Sequence, residues 1–241
     1  MKIIADTHTH TVACDHAYST FSENAARAKT AGLDFICATE HASAMKGAPG
    51  PVYFSTLHNL PRVLDGVTII RGAELNILDY EGGVDLTEGV LKNLEWVIAS
   101  YHSVCIEPAD IAAHTRGWIN IAANPLIHVI GHCGDSRYNF EHKPVLEAFK
   151  TAGKIVEINN HSFHVRPGTH ENCKKIAIAC AEYGVPIVVS SDAHHATHIG
   201  ELGDAIAMLG EIGFPEELVL NADSTRFLSA VSRVSGKRVT P

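Results

Sequence analysis

The sequence predicts an α/β protein built as a distorted seven-stranded (β/α)7 barrel of the TIM-like kind. Three observations predict this class. Seven short apolar runs recur along the 241 residues, amphipathic helical patterns lie between several of them, and residues able to bind a metal follow six of them. Short apolar runs are typical of parallel strands that are buried on both faces. Strands that alternate with helices predict parallel pairing through right-handed crossovers.

The predicted strands are the seven apolar runs, at residues 2–6, 35–39, 68–74, 96–100, 128–131, 155–159 and 187–191. The clearest helical patterns cover residues 22–31, 143–152 and 170–183. Each helix is followed by a glycine, at Gly32, Gly153 and Gly184, which can adopt the left-handed conformation that often ends a helix.

Composition places the chain among globular proteins, because 46% of its residues are apolar. No repeat or Pro/Ser-rich linker divides it, so we expect a single domain over residues 1–241. The net charge of −8 and the lack of a basic block argue against long nucleic acid as a partner. The amino terminus does not resemble a signal peptide and no apolar run is long enough to span a membrane, so we expect a cytoplasmic protein. The six cysteines form no CxxC pair, which favours reduced thiols over disulfides.

Metal-binding residue types follow six of the seven predicted strands. His8 and His10 follow the first strand at i and i+2, which places both side chains on one side of an extended segment, where they can coordinate one ion. The full candidate set is His8, His10, His16, His41, Glu74, His102, His132, Asp192 and His194. A barrel gathers the carboxyl ends of its strands at the face where such folds place active sites. The sequence therefore predicts a metal site at that face.

The other histidines do not share this position cleanly. We interpret His58, His114, His128, His142, His170, His195 and His198 as structural or surface residues, and leave His161 and His164 open as substrate contacts.

The segments THTH (7–10), TEHA (39–42), GAE (72–74), SYHS (100–103), GH (131–132) and SDAH (191–194), in this order, resemble the PHP superfamily of polymerase and histidinol phosphatase domains. CDHAYST (14–20), PRVLDGVTIIRG (61–72) and EINN (157–160) further resemble its small YcdX-like phosphatases. The resemblance runs from Lys2 to about Ser235. It departs from the common pattern at His161 and at Cys133, which we interpret as a packing residue.

The resemblance implies a trinuclear metal cluster in a seven-stranded barrel. His8, His10, Glu74 and Asp192 would hold one ion, and Glu74 would bridge to a second ion held by His102 and His132. His16, His41 and His194 would hold the third. Sites dominated by imidazole favour zinc, with manganese or iron as alternatives.

The expected activity is phosphomonoester hydrolysis by a water that the metals activate, with Glu74, Asp192 and His194 as catalytic residues. Three divalent ions outweigh the two carboxylates in charge, so the site should attract a small anionic phosphate ester. Candidate phosphate contacts are Arg62, Arg137, Arg166 and His161, and Asp6 and Glu40 are expected to orient neighbouring imidazoles. The acid for the leaving group is left open between His161, His195 and water.

Three alternatives are retained. A phosphodiesterase or short-oligonucleotide nuclease could use the same ions. An amidohydrolase-type barrel also begins with HxH and ends with an Asp at the end of a strand. Here, however, no lysine that could bridge two metals follows a strand. Glu74 and His194 also favour the PHP-type phosphatase over the amidohydrolase. A regulatory or zinc-storage module would be expected to have lost ligands, whereas all nine positions are filled. Homo-oligomerisation, the physiological ester and the native metal are left open.

Overall fold

The computed structural model describes residues 1–166 and 168–240. Over these ranges the chain forms eight β-strands: β1 (Ala5–Asp6), β2 (Phe35–Ala38), β3 (Val63–Leu64), β4 (Val67–Asn76), β5 (Trp96–Ser100), β6 (Val129–Ile130), β7 (Ile155–Asn159) and β8 (Ile187–Ser190). The α-helices of the same ranges are α1 (Phe21–Thr30), α2 (Pro51–Ser55), α3 (Glu88–Leu91), α4 (Ile111–Ala123), α5 (His142–Ala152), α6 (Ser162–Val165), α7 (Thr169–Tyr183), α8 (Gly203–Glu211) and α9 (Ser224–Ser235).

Seven of the strands are parallel and lie in the order β1-β2-β4-β5-β6-β7-β8. A parallel bridge between Thr9 and Ala193 links the segments that follow β1 and β8, so the sheet nearly closes into a barrel. The predicted seven-stranded α/β barrel is therefore confirmed. The short strand β3 was not predicted. It pairs antiparallel with β4 across the turn Asp65-Gly66, where both residues have positive φ angles of 52° and 83°.

The predicted helices are confirmed with small shifts at their ends. Helix α1 begins after Thr20, whose side chain accepts a hydrogen bond from the backbone N–H of Glu23 while Glu23 bonds back to Thr20. This capping box moves the start of the helix ahead of the predicted Ser22. Helices α5 and α7 end at Gly153 and Gly184 in the left-handed conformation, as predicted.

The hydrophobic core has two main parts. One lies between the strands and the surrounding helices, and it includes Cys133 beside Cys173. The other fills the interior of the barrel near the strand starts, where Phe227 of α9 contacts Phe35 and Trp96 with ring centroids 5.4 and 5.6 Å apart. Apolar packing thus closes one end of the barrel, and polar side chains are concentrated at the other. The cysteines of the described ranges are free thiols.

None of the helices that the structure describes is both long and apolar enough to cross a bilayer.

Candidate metal centre

The nine residues predicted as ligands come together at the carboxyl ends of the strands. Glu74 lies at the centre of this cluster and is fully buried. Its Oε2 lies 2.6 Å from His41 Nδ1 and 3.2 Å from His8 Nε2. Its Oε1 lies 3.0 Å from His132 Nε2 and 3.3 Å from His102 Nε2. The two carboxylate oxygens therefore face two different groups of imidazoles.

Backbone pairing brings His41 and Glu74 side by side. The ladder of β2 and β4 continues past Ala38 as a parallel bridge between these two residues. Glu74 donates its N–H to the carbonyl of Glu40, and Ala42 donates to the carbonyl of Glu74. The long strand β4 thus carries its glutamate into the cluster on a rigid element.

Asp192 is the second carboxylate of the cluster and lies just after β8. Its Oδ1 is 3.1 Å from His10 Nε2 and 3.5 Å from His8 Nε2, and its Oδ2 accepts a hydrogen bond of 3.1 Å from Asn159. The ring centroid of His194 lies 4.4 Å from that of His10. Its Nδ1 lies 2.9 Å from the backbone oxygen of Asp192.

Two residues of the cluster have a backbone conformation that non-glycine residues rarely adopt. The φ angle is 52° at Asp192 and 25° at His132. Such conformations typically cost about 1–3 kcal/mol each, and they concentrate at functional sites, where the surroundings hold them.

His16 lies at the rim, with a side chain that is 40% exposed. Its ring centroid is 5.1 Å from that of His41 and 5.0 Å from that of His194. The three residues predicted to hold the third ion, His16, His41 and His194, therefore lie close together. The nitrogen atoms within 4.8 Å of one another in this region, however, belong to His10, His41 and His194.

The charge states of Glu74, Asp192 and His194 suit metal coordination, whereas His8 and His10 would each have to lose a proton to bind an ion. Burial opposes their protonation, but the neighbouring carboxylates raise the pKa of both well above the ordinary value. Burial alone would raise the pKa of Glu74, but the imidazoles of His8, His41 and His102 hold it well below its ordinary value. Burial likewise opposes ionisation of Asp192, yet the neighbouring histidines keep its pKa well below the usual range. Burial lowers the pKa of His194 to about 4, assisted by His10. Ionised carboxylates and neutral imidazoles are the forms that bind metal ions.

Several donor atoms of the cluster lack a hydrogen-bond partner among the described residues. They are His8 Nε2, His10 Nδ1, His41 Nδ1 and Glu74 Oε2, and all of them are buried; His41 Nδ1 and Glu74 Oε2 lie 2.6 Å apart but are not aligned for a hydrogen bond. A buried polar atom without a partner costs about 1–3 kcal/mol, so an ion that binds these atoms would remove a penalty. Further groups of donor atoms within 4.8 Å are formed by His8, His10 and Glu74, and by His41, Glu74 and His102. The nitrogen and oxygen donors thus fit bound divalent ions.

Glu157 is the main residue of the site that the sequence argument missed. It is 1% exposed and lies beneath the cluster, inside the barrel. Its Oε1 accepts hydrogen bonds of 2.6 Å from His8 Nδ1 and Ser190 Oγ, and its Oε2 accepts one of 2.7 Å from the backbone N–H of His132. Asn76 plays a similar part, because its Oδ1 lies 2.7 Å from His102 Nδ1. A carboxylate inside the apolar run IVEIN was the available signal, since a buried strand carries such a group only with partners.

The predictions for Asp6 and Glu40 need correction. Asp6 accepts hydrogen bonds from the backbone N–H groups of Ser191 and Gly200, so it holds the segment around Asp192 instead of orienting an imidazole. Glu40 accepts a hydrogen bond of 2.5 Å from Thr11, and its other oxygen lies 3.8 Å from His10 Nδ1, beyond hydrogen-bond distance.

Cys14 lies close to His10 and Glu40. Donor atoms of His10, Cys14 and Glu40 are within 4.8 Å of one another, and the three residues are buried. Nothing in the spacing of the sequence pointed to this thiol.

The three predicted arginines have different positions. Arg166 is close to the cluster: its NH1 donates to Ser162 Oγ at 2.6 Å and lies 3.8 Å from Asp192 Oδ2. Arg137 lies at the rim, where it pairs with Asp135 at 2.6 Å and donates to Ser103, the neighbour of His102.

The prediction that Arg62 contacts the substrate phosphate is wrong. Arg62 pairs with Glu95 at 2.5 Å and donates to the carbonyl of Ile69, near the start of β4. Glu74 lies five residues after Ile69 along that strand, a distance of about 16 Å at the usual rise per residue, so Arg62 lies away from the cluster.

The remaining histidines divide as expected between the rim, the core and the surface. The ring of His161 lies 6.1 Å from that of His194, whereas the half-exposed His164 pairs with Asp204 at 3.0 Å. His114 is a buried residue with a partner at both nitrogens, Ala109 N–H and Asn139 O. His195 is exposed and bonded to Thr197.

A cavity of about 580 Å³ lies beside the cluster, between the segments that follow β7 and β8. Its walls include Asn160, His161, Ser191, His198 and Asp204. His161 lies between the cluster and the cavity, since its ring is 6.1 Å from His194 and 6.3 Å from His198.

Comparison with known proteins places the chain in a family. A family profile described as PHP-associated matches residues 170–202. A probable phosphatase of Acetivibrio thermocellus is 42% identical over 233 residues, which cover 97% of each chain. A probable phosphatase of Thermoanaerobacter sp. strain X514 is 47% identical over 225 residues, which cover 92% of each chain.

A solved structure shares the fold. It is the histidinol phosphate phosphatase of Lactococcus lactis, complexed with zinc, L-histidinol and phosphate. The match has a TM-score of 0.64 at 19% identity and covers 88% of this chain and 94% of that one. Taken with the relatives of higher identity, these findings show that the chain belongs to the PHP superfamily, in the family of these probable phosphatases.

Proposed function

We propose that the protein is a metal-dependent phosphomonoesterase whose single domain holds three divalent ions, with zinc as the favoured metal. The observation that carries this proposal is the position of Glu74, which presents one oxygen to His8 and His41 and the other to His102 and His132. A carboxylate placed in this way suits a bridge between two ions. The family of probable phosphatases supports the reaction class.

Divalent ions at such a site would lower the pKa of water towards 7 and neutralise charge on phosphate oxygens. The chain's own residues prepare the site for this chemistry. Glu157 accepts from His8 Nδ1, so the Nε2 of His8 faces Glu74 and Asp192 and would bind an ion there once it loses its proton. Asn76 fixes His102 in the same way, so that its Nε2 faces the cluster.

The phosphate of the substrate would be oriented by arginine. Arg166 is 14% exposed and lies between Ser162 and Asp192, so its guanidinium is held in place beside the cluster. Arg137 is more exposed and approaches from the side of His102. A guanidinium that is held rigidly suits phosphate, because its donors match two phosphate oxygens.

The alcohol part of the ester would lie in the cavity beside the cluster. The cavity adjoins Asp192 through Ser191 and adjoins His194 through His161. A substrate with its phosphate at the cluster and its alcohol in the cavity would pass His161. Burial lowers the pKa of His161, so at neutral pH this imidazole is a hydrogen-bond partner for the ester and not a strong acid.

The test compares hydrolysis of p-nitrophenyl phosphate and bis-p-nitrophenyl phosphate by zinc-loaded protein. We expect turnover of the monoester to exceed that of the diester, and Glu74→Gln to lower it at least about a hundredfold with an unchanged circular dichroism spectrum. Glu171→Gln, at an exposed glutamate, serves as the control. Full activity of Glu74→Gln would contradict the proposal, and a preference for the diester would favour the phosphodiesterase alternative.

Arginine variants test the phosphate contact. Arg166→Met should raise KM for the monoester about tenfold or more, because it removes a charge-assisted contact. Arg62→Met should leave KM unchanged, since Arg62 lies near the start of β4. Equal KM values in both variants would argue against the role of Arg166.

A further inference from the structure

A second cavity lies at the opposite end of the barrel from the candidate metal centre. Its volume is about 270 Å³, and it opens between the starts of β6 and β7 and the end of α9. Its walls are formed by Pro125, Ile127, His128, Ala152, Gly153, Lys154, Arg233 and Val234. None of these lining residues is acidic.

Lys154 is a buried cation without a carboxylate partner among the described residues. It is 3% exposed, and its Nζ donates to the carbonyl oxygens of Asn124 at 2.6 Å and Ile127 at 2.5 Å. An ammonium group has three N–H donors. In the described part of the chain the third donor has no acceptor, and the group lines the cavity. Burial lowers the pKa of Lys154 to about 8, so the side chain is still mainly charged at neutral pH.

His128 supplies a second donor, and its tautomer is fixed. Its Nδ1 accepts a hydrogen bond of 3.1 Å from the backbone N–H of Val97. Burial lowers the pKa of His128 to about 3, assisted by Lys154, Lys237 and Arg233, so the ring is neutral and its proton resides on Nε2. His128 is 4% exposed, and within the described residues Nε2–H has no acceptor.

Arg233 lies at the rim of the cavity. Its NH1 donates to the carbonyl of Gly153 at 3.1 Å, which places the guanidinium beside Lys154. The arginine, the lysine and the imidazole N–H thus line one space, the first from α9 and the other two from the positions just before β7 and β6. The space is several times the volume of about 30 Å³ that one water takes up in the liquid, so it has room for a phosphate-sized ion with some of its waters.

We propose that this cavity binds a small oxyanion of the size of phosphate, held by Lys154 Nζ, His128 Nε2–H and the guanidinium of Arg233. The anion would accept hydrogen bonds from Lys154 Nζ and His128 Nε2, whose remaining N–H groups have no acceptor among the described residues, and it would balance the charge of the ammonium. The site is separate from the metal centre, because His128 and Lys154 precede their strands whereas the cluster follows the strand ends. Binding there would stabilise the folded state, since it favours the folded over the unfolded chain.

The test is a titration of the thermal midpoint with millimolar phosphate at constant ionic strength, in wild type, Lys154→Met and Arg233→Gln. Lys150→Met is the matched control, because Lys150 also donates to a carbonyl, that of Gly184, but is exposed. We expect wild type and Lys150→Met to show the same saturable rise. The other two variants should raise the dissociation constant about tenfold or more, because each loses a charge-assisted hydrogen bond.

The metal centre is the same in all four proteins, so phosphate bound there contributes equally to every titration. Arg233 is exposed, and Arg233→Gln is therefore expected to fold even if Lys154→Met does not. An Arg233→Gln titration that superimposes on that of wild type would overturn the proposal, and it would show that phosphate binds at the metal centre alone. Failure of the phosphatase assay would leave this result unaffected.

Discussion

Glu74 and Glu157 are both buried carboxylates among imidazoles, but they have different parts in the site. Glu74 faces the atoms that would bind ions, since its Oε2 and the nitrogens beside it lack hydrogen-bond partners among the described residues. Glu157 contacts the far side of His8 and the backbone of His132, and all its contacts are ordinary hydrogen bonds. We therefore assign Glu157 as a positioning residue.

Replacing Glu157 tests that assignment. Glu157→Gln keeps the shape of the side chain but loses the charge that holds the Nδ1–H of His8. Loss of such an outer contact typically lowers metal affinity about 10–100-fold. We expect that loss in a competition titration with a zinc chelator, together with a lower kcat.

The exposed Glu171→Gln is the control for this titration. A merely structural role would lower the unfolding midpoint of the metal-free protein and leave the affinity for zinc unchanged. That pattern would refute the assignment of Glu157.

His128 gives a pH dependence that is independent of the cluster. Its folded pKa of about 3 lies below the ordinary value of 6.5, so the unfolded chain binds the proton more readily. The resulting contribution to stability is present above pH 6.5 and is lost as the pH falls towards 3. Between about pH 7.5 and pH 5 the free energy of unfolding should fall by about 2 kcal/mol through this residue.

The measurement is urea unfolding at both pH values for wild type and His128→Asn. Asparagine retains an acceptor for Val97 N–H but does not titrate, so the variant should lack that part of the fall. Identical pH dependence in the two proteins would show that His128 is not the source.

At the residue scale, the sequence predicts which candidate metal-binding residues come together, but it does not predict their surroundings. His8, His10, Glu74 and Asp192 follow apolar runs, and a local pattern of that kind can be read from one sequence. The contacts of Glu157 join segments that are distant in the chain, since it lies 149 positions after His8, so no local pattern reports them. Arg62 was misplaced because the sequence does not show that it would pair with Glu95 near the start of β4.

At the scale of elements, helix α9 closes the end of the barrel that lies away from the cluster. Phe227 is fully buried and contacts Phe35 and Trp96, which project from the starts of β2 and β5. The helix thus covers an interior that would otherwise be open to solvent.

Truncating this contact should destabilise the whole barrel. Phe227→Ala should lower the free energy of unfolding by about 3–5 kcal/mol, the usual range for a buried phenylalanine. Urea unfolding measures this loss, and Leu228→Ala, at the partly buried neighbouring position, should have a smaller effect. A loss below about 1 kcal/mol for Phe227→Ala would mean that α9 is not needed to close the barrel.

The hairpin of β3 and β4 shows a local signal that was overlooked. Asp-Gly between apolar residues is a strong indication of a two-residue hairpin turn, and Leu64-Asp65-Gly66-Val67 has this form. The strand is only two residues long, and the pattern of seven longer runs already accounted for the barrel.

At the scale of the whole molecule, the two ends of the barrel carry different groups of polar side chains. The cluster gathers where the strands end, whereas α9 and a basic cavity lie where they begin. The net charge of −8 is carried by the chain as a whole, so a metal-loaded cluster would be a positive site in an acidic protein. The barrel could be predicted from the sequence because seven short apolar runs repeat along the chain. The bridge between Thr9 and Ala193, which nearly closes the sheet, could not be predicted, because it depends on three-dimensional packing.

The most direct test of the account is the metal content of the chain, measured by plasma mass spectrometry on protein purified without a His-tag or chelator, with phosphatase activity assayed on the same sample. We predict about three zinc ions per chain, and monoester hydrolysis that is lost on chelation and recovered on adding zinc. Well-folded protein that holds one ion or none and hydrolyses the ester equally well after chelation would contradict the account.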